Sequence, residues 1–135
     1  MPMLVGTIAG LVDPDGLRPV AHEDREVLAL AGPWALLDGR EVMAGDGRSA
    51  PLVEVPRITC LAEMGDGRVL AGTAEAHLYR LDDGHVERLL SFDDAETRDD
   101  WYTPWGGPPA VRSVAVTAEG TLLANVHVGG ILRSA

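Results

Sequence analysis

The sequence predicts an all-β protein assembled from repeated units of four short antiparallel strands. The first observation is at residues 58–90, where short apolar runs are separated by turns rich in acidic residues and glycine. Residues 65–67 (Gly-Asp-Gly) and 82–84 (Asp-Asp-Gly) form two of these turns, and both contain residues that tolerate positive φ. Runs this short, separated by such turns, indicate a four-stranded antiparallel meander.

The second observation is that the apolar run of this meander recurs along the chain. Residues 69–73 (Val-Leu-Ala-Gly-Thr) have related runs that begin at Met3, Trp34 and Leu122. The last interval is lengthened by an insertion between Asp93 and Pro109. The first two intervals, from Met3 to Trp34 and from Trp34 to Val69, are 31 and 35 residues long. Self-similarity at such intervals predicts a stacked or radial repeat, and a unit of four short strands is typical of a β-propeller blade.

The chain is predicted to be a single partial β-propeller domain, residues 1–135. The repeat divides this domain into blades, of which the last is incomplete. The predicted blades cover approximately residues 1–25, 26–57, 58–110 and 111–135. Outside the central meander, strands are expected at residues 3–7, 8–12, 17–22, 26–31, 34–38, 40–44, 52–55, 111–117, 122–128 and 131–133. Residues 19–31 also fit a short helix, with Pro19 near its start and Gly32 as its C-cap.

Residues 67–73 with Leu78-Tyr-Arg80, echoed by residues 120–126 with Ile131-Leu-Arg133, carry a family resemblance. The chain resembles the BNR/Asp-box and YVTN/WD40-like propellers, whose fold sialidases share. Asp82 and Gly84 match the Asp and Gly of an Asp-box, but Arg80 and Glu87 replace its Ser and Trp. The resemblance implies an architecture that serves hydrolases, lyases and binding modules alike.

A closed propeller needs about 4–8 blades. About three blades and two strands of a fourth would form an incomplete ring with unpaired strand edges. We therefore expect an N-terminal partial chain of a larger ring. The alternative is a short chain that completes its ring by self-association through the open blade edges.

Charge and cysteine content restrict the partners. The 21 acidic and 11 basic residues give a net charge of −10, which argues against nucleic acid or an anionic membrane. Cys60 is the single cysteine, so no internal disulfide is expected. The N-terminus lacks a basic region typical of a signal peptide, and residues 27–37 are too short to span a membrane. These features favour a cytoplasmic protein.

The insertion at residues 92–109 is the main candidate site. It contains four of the six aromatic residues: Phe92, Trp101, Tyr102 and Trp105. A loop of this length in a compact domain is usually functional, and flat aromatic faces can stack on sugars or other rings. Alternatively, Trp101 and Trp105 seal a neighbouring blade, since large aromatic residues are mostly buried.

Polar residues in nearby turns extend this site. Glu75 and His77 lie between the second and third strands of the third blade, and His127 occupies the related turn of the fourth. We expect them to line the mouth of a central channel. The predicted ligand-binding set is Trp101, Tyr102, Trp105, Glu75, His77 and His127.

Metal and catalytic sites are not expected. Asp93, Asp94, Glu96, Asp99 and Asp100 lack the spacing of a calcium loop and are predicted to be solvated. Sialidase-type chemistry would need clustered arginines, a tyrosine nucleophile with a glutamate partner, and an acidic aspartate, and no such set is visible. The sequence therefore favours a non-enzymatic scaffold without a cofactor, which binds a small ligand, glycan or protein partner. The alternative is part of a sialidase-like glycoside hydrolase, with catalytic residues mostly in missing blades.

Overall fold

The computed structural model describes residues 3–52 and 54–135, and these residues form four antiparallel sheets. The strands are β1 (Val5–Thr7), β2 (Gly10–Asp13), β3 (Arg18–Ala21), β4 (Val27–Ala31), β5 (Trp34–Leu37), β6 (Glu41–Ala44), β7 (Ile58–Glu63), β8 (Val69–Thr73), β9 (Leu78–Asp82), β10 (His85–Arg88), β11 (Val111–Val116), β12 (Leu122–Val126) and β13 (Gly130–Arg133). The helical elements are α1 (Leu90–Asp93) and a 3-10 turn (Arg98–Asp100). The predicted all-β class is confirmed.

Each sheet is built from strands that follow one another in the chain. The first contains β1–β3, the second β4–β6, the third β7–β10 and the fourth β11–β13. None of these sheets closes on itself. Turn chemistry explains the meanders, since Gly67 and Gly84 adopt positive φ between the strands of the third sheet.

Three local predictions differ from the structure or are decided by it. The alternative helix at residues 19–31 is wrong, because β4 pairs along β5 and the turn before it is fixed by Arg25, which bonds to Asp38 and Glu41. The fourth sheet has three strands, at the three runs expected at residues 111–117, 122–128 and 131–133, and so one more than the two strands counted for the incomplete ring. No strand forms at the described residues of 52–55, and Val53 lies outside the described residues.

The missing strand at 52–55 has a local cause. Pro51 and Pro56 flank the segment and carry no backbone N–H, so neither can donate to a neighbouring strand. Glu54 adopts a φ of 66°, which interrupts an extended backbone. The second sheet therefore has three named strands, extended only by an isolated bridge between Met43 and Ser49.

The opening strands β4, β7 and β11 share a structural signature. Each contains a bulge after its first residue, between Val27 and Ala29, Ile58 and Cys60, and Val111 and Ser113. These strands also pack in chain order, β4 against β7 and β7 against β11. The second, third and fourth sheets therefore begin with the same local irregularity.

Two main apolar clusters fill the spaces between these sheets. The cluster between the second and third sheets includes Trp34, which is fully buried and donates from Nε1 to the Gly67 carbonyl oxygen at 3.1 Å. The cluster between the third and fourth sheets contains Cys60, the single cysteine of the chain. Desolvation raises the pKa of the Cys60 thiol, so it is held in its neutral form.

Helices contribute little to the described structure. Its longest helix, α1, spans four residues. None of the helices in residues 3–52 and 54–135 has the length and apolar character needed to cross a bilayer.

Candidate functional site

The insertion packs one of its tryptophans into the protein. Phe92 on α1 and Trp101 after the 3-10 turn are both buried, and their ring centroids lie 5.6 Å apart. The Arg98 guanidinium lies over the Trp101 ring at 5.3 Å from its centroid. Trp101 belongs to the cluster that contains Val111 and Val126 of the fourth sheet. The interpretation of Trp101 as a residue that seals the neighbouring sheet therefore fits its position.

The next residues form a braced turn that exposes two aromatic side chains. The Thr103 hydroxyl is buried and lies 2.8 Å from the carbonyl oxygens of Gly106 and Gly107, to which it donates its proton. The Gly106 N–H donates to the Thr103 carbonyl at 3.0 Å. Tyr102 and Trp105 remain 64% and 71% exposed on this turn. The backbone is constrained while the rings face solvent.

Trp105 forms a surface platform with residues of the fourth sheet. Its ring centroid lies 5.2 Å from that of His127, with an angle of 34° between the planes. Arg112 Nε donates to His127 Nδ1 at 3.4 Å. Arg112 occupies the bulge of β11, a position at which a bulge can redirect a side chain. We refer to Trp105, His127 and Arg112 as the aromatic platform.

A cleft of about 540 Å³ lies beside the braced turn. Its lining includes Glu75 from the β8–β9 turn together with Arg98, Trp101, Tyr102 and Thr103. The structure therefore brings Glu75 close to Trp101 and Tyr102, three residues of the predicted site. Charged groups of both signs and an aromatic edge line the same opening.

His77 lies in a different environment, beside α1. Its Nδ1 is 2.7 Å from Asp93 Oδ1, and Arg88 Nε donates to Asp93 Oδ2 at 2.7 Å. Arg98 Nη2 lies 3.3 Å from His77 Nδ1. The His77 and Asp93 side chains are only 17% and 14% exposed. This polar cluster links the β8–β9 turn, β10 and the insertion.

The prediction of a solvated acidic loop is wrong for Asp93 alone. Asp94, Glu96, Asp99 and Asp100 are exposed as expected. Sequence reasoning missed Asp93 because its partners, His77 in the β8–β9 turn and Arg88 on β10, lie outside the insertion. The spacing of residues in the insertion carries no signal for such contacts.

The Asp93 carboxylate should make the fold sensitive to acid. Burial alone would raise the pKa of Asp93, but hydrogen bonds from His77 and Arg88 outweigh it and lower the pKa. A carboxylate with a lowered folded-state pKa contributes stability above its unfolded pKa and loses it as the pH falls through the folded value. Asp93→Asn should therefore cost about 1–2 kcal/mol at neutral pH.

Urea unfolding at a series of pH values tests this expectation. The gap between wild type and Asp93→Asn should shrink as the pH falls from about 5 toward 3. Asp94→Asn is the matched control, since Asp94 is the exposed neighbour and should change stability little at any pH. A gap that stays constant with pH would contradict the assignment.

No group of three or more His, Cys, Asp or Glu side chains is placed to hold a metal ion within residues 3–52 and 54–135. Three arginines of the first and third sheets, Arg18, Arg68 and Arg80, each pair with a nearby acid. Tyr79, one of two tyrosines, is buried.

Comparison with known proteins gives no family assignment. No protein-family model, curated protein or solved structure matches this chain. The resemblance to BNR and WD40-like propellers stays a prediction.

Proposed function

We propose that this chain is an arc of β-propeller blades that serves as a non-enzymatic binding module, with the aromatic platform as its ligand contact. The order of packing supports the arc, since the opening strands β4, β7 and β11 contact one another in sequence. The shared bulge supports a repeated blade. Blades that bury their faces against neighbours in this way are typical of a radial repeat.

The exposure of Trp105 on a braced turn supports the binding proposal most strongly. Because Trp105 is 71% exposed, it stabilises the fold much less than a buried tryptophan would. Its turn is nevertheless held in place by the Thr103 hydrogen bonds. A rigid turn loses little conformational freedom when a ligand binds. Tryptophans presented this way are frequent energetic centres of binding surfaces.

The chemistry of the platform favours a carbohydrate. The apolar face of a pyranose ring can stack on the Trp105 indole, while Arg112 offers guanidinium N–H donors to hydroxyl or carboxylate oxygens. Arg112 already contacts His127, the ring that stacks beside Trp105. An apolar ring face and a directional donor therefore lie on the same patch.

Tryptophan fluorescence can test the proposal. Trp34 and Trp101 are buried, so quenching by acrylamide should report mainly on Trp105. Titration with cellohexaose and with tetragalacturonic acid should protect Trp105 from the quencher in at least one case. Calorimetry should show that Trp105→Ala weakens that binding by about thirtyfold, a value typical of a central aromatic contact.

Ile8→Ala is the matched control for this experiment. Ile8 is 83% exposed and lies in the turn between β1 and β2, outside the platform and the cleft. Its replacement should leave binding unchanged. Oligosaccharide binding that survives Trp105→Ala, or the absence of any protection by either sugar, would contradict a carbohydrate-binding platform.

A further inference from the structure

Arg112 of the aromatic platform differs from most arginines of this chain in its partner. Within residues 3–52 and 54–135, seven arginines each form an ion pair with an aspartate or a glutamate. Arg112 is exposed, and over the same part of the chain its side chain bonds only to His127, from Nε to Nδ1 at 3.4 Å. Because this bond uses Nε, the two Nη groups at the end of the guanidinium are left for a ligand.

The backbone on both sides of Arg112 is held in place. The Thr59 hydroxyl of β7 lies 2.5 Å from the Val111 carbonyl oxygen. The His127 N–H donates to the Ala110 carbonyl oxygen at 2.9 Å. These contacts tie the bulge of β11 to the third sheet and to the residue that follows β12. Arg112 therefore projects from a backbone that loses little freedom when a ligand binds.

The stacking surface and the guanidinium are linked through one side chain. The His127 ring stacks beside Trp105 at 5.2 Å between centroids, and the same ring contacts Arg112. A sugar that stacks on the Trp105 indole thus lies next to the free end of the guanidinium. A guanidinium binds a carboxylate through two parallel N–H···O bonds, a planar match that a single hydroxyl does not offer.

We propose that the aromatic platform is selective for acidic sugars, with Arg112 binding the carboxylate of a hexuronate whose ring stacks on Trp105. This inference rests on the proposed carbohydrate-binding function and adds the class of sugar. Arg112 is the residue that determines specificity. A neutral sugar makes the stacking contact but leaves the paired Nη groups without a charged acceptor.

The overall charge of the chain favours the opposite preference. Its 21 acidic and 11 basic residues give a net charge of −10, so the surface as a whole repels a carboxylate. At physiological ionic strength, charges more than about 8 Å away are largely screened. A preference for an acidic sugar over a neutral one of the same shape therefore requires a cation at the binding surface, and Arg112 provides it.

Tetragalacturonic acid and its fully methyl-esterified form are matched probes, since they share the same rings and differ in the charge of the carboxyl groups. Calorimetry at about 0.15 M salt and neutral pH should show at least about tenfold tighter binding of the acid, as expected for a charge-assisted bidentate contact. Arg112→Gln should lower the affinity for the acid to that for the ester. It should leave the affinity for the ester unchanged, and circular dichroism should show a folded variant.

Arg40→Gln is the matched control, because it removes the same charge from an exposed arginine in the turn between β5 and β6. It should leave the affinities for both sugars unchanged. Equal affinity of the wild type for acid and ester would overturn the inference, and so would a preference for the acid that survives Arg112→Gln. In either case sugars still bind, and the proposed carbohydrate-binding function stands. Absence of binding by both probes and by cellohexaose would overturn the proposed function and this inference together.

Discussion

Replacement of Trp34 by alanine should cost about 3–5 kcal/mol, the largest effect expected of any single substitution in this chain. Trp34 is fully buried between the second and third sheets, where it packs with Leu36, Ile58 and Val69. The substitution would leave a large cavity and would remove the donor to the Gly67 carbonyl oxygen. A loss of this size is a large fraction of the stability of an ordinary domain.

Urea unfolding followed by far-UV circular dichroism measures this loss. Trp105→Ala is the control, because it deletes the same side chain from a position that is 71% exposed. It should change the free energy of unfolding by less than about 0.5 kcal/mol. Similar losses at the two positions would mean that the packing of the second and third sheets differs from that described.

Replacement of Gly72 by alanine should be the second most damaging change, at about 1–3 kcal/mol. A Cβ at this position would lie 2.5 Å from Val111 Cγ1 and 2.7 Å from Cys60 Sγ, both of which are buried. Neither neighbour can move far in a close-packed core. The first strand of the fourth sheet would therefore be pushed away from β8.

Thermal unfolding of Gly45→Ala provides the contrast. Gly45 lies in the turn after β6, where an added Cβ meets no atom within 4 Å. At such a position, alanine restricts the unfolded chain and leaves stability unchanged or slightly raised. An equal drop in melting temperature for both variants would contradict the close approach of β8 and β11.

The strands of the third sheet could be predicted because their determinants are local. Gly67 and Gly84 sit at turns that need positive φ, and each apolar run between them has the length of one strand. The strand expected at residues 52–55 failed for a local reason as well. The prolines at 51 and 56 outweigh the apolar residues between them.

The arrangement of the candidate site could not be predicted from local sequence patterns, because it depends on contacts between residues that are distant in the chain. Trp101 and Trp105 are four residues apart in one aromatic segment, yet the first is buried and the second exposed. The difference arises because the 3-10 turn directs Trp101 toward the fourth sheet, and the Thr103 hydrogen bonds then reverse the chain. His127 lies beside Trp105 of the insertion, whereas His77 contacts Asp93.

The burial of Trp101 has a consequence for how ligand occupancy and thermal resistance are linked. The exposed Tyr102 directly follows the buried Trp101, and the exposed Trp105 lies four residues after it. Separation of the third sheet from the fourth would expose Trp101 to solvent and disrupt the aromatic platform. A ligand bound to Trp105 would therefore also stabilise the packing of the third sheet against the fourth. A free ligand concentration one hundred times the dissociation constant would add about 2.7 kcal/mol to the free energy of separating the two sheets.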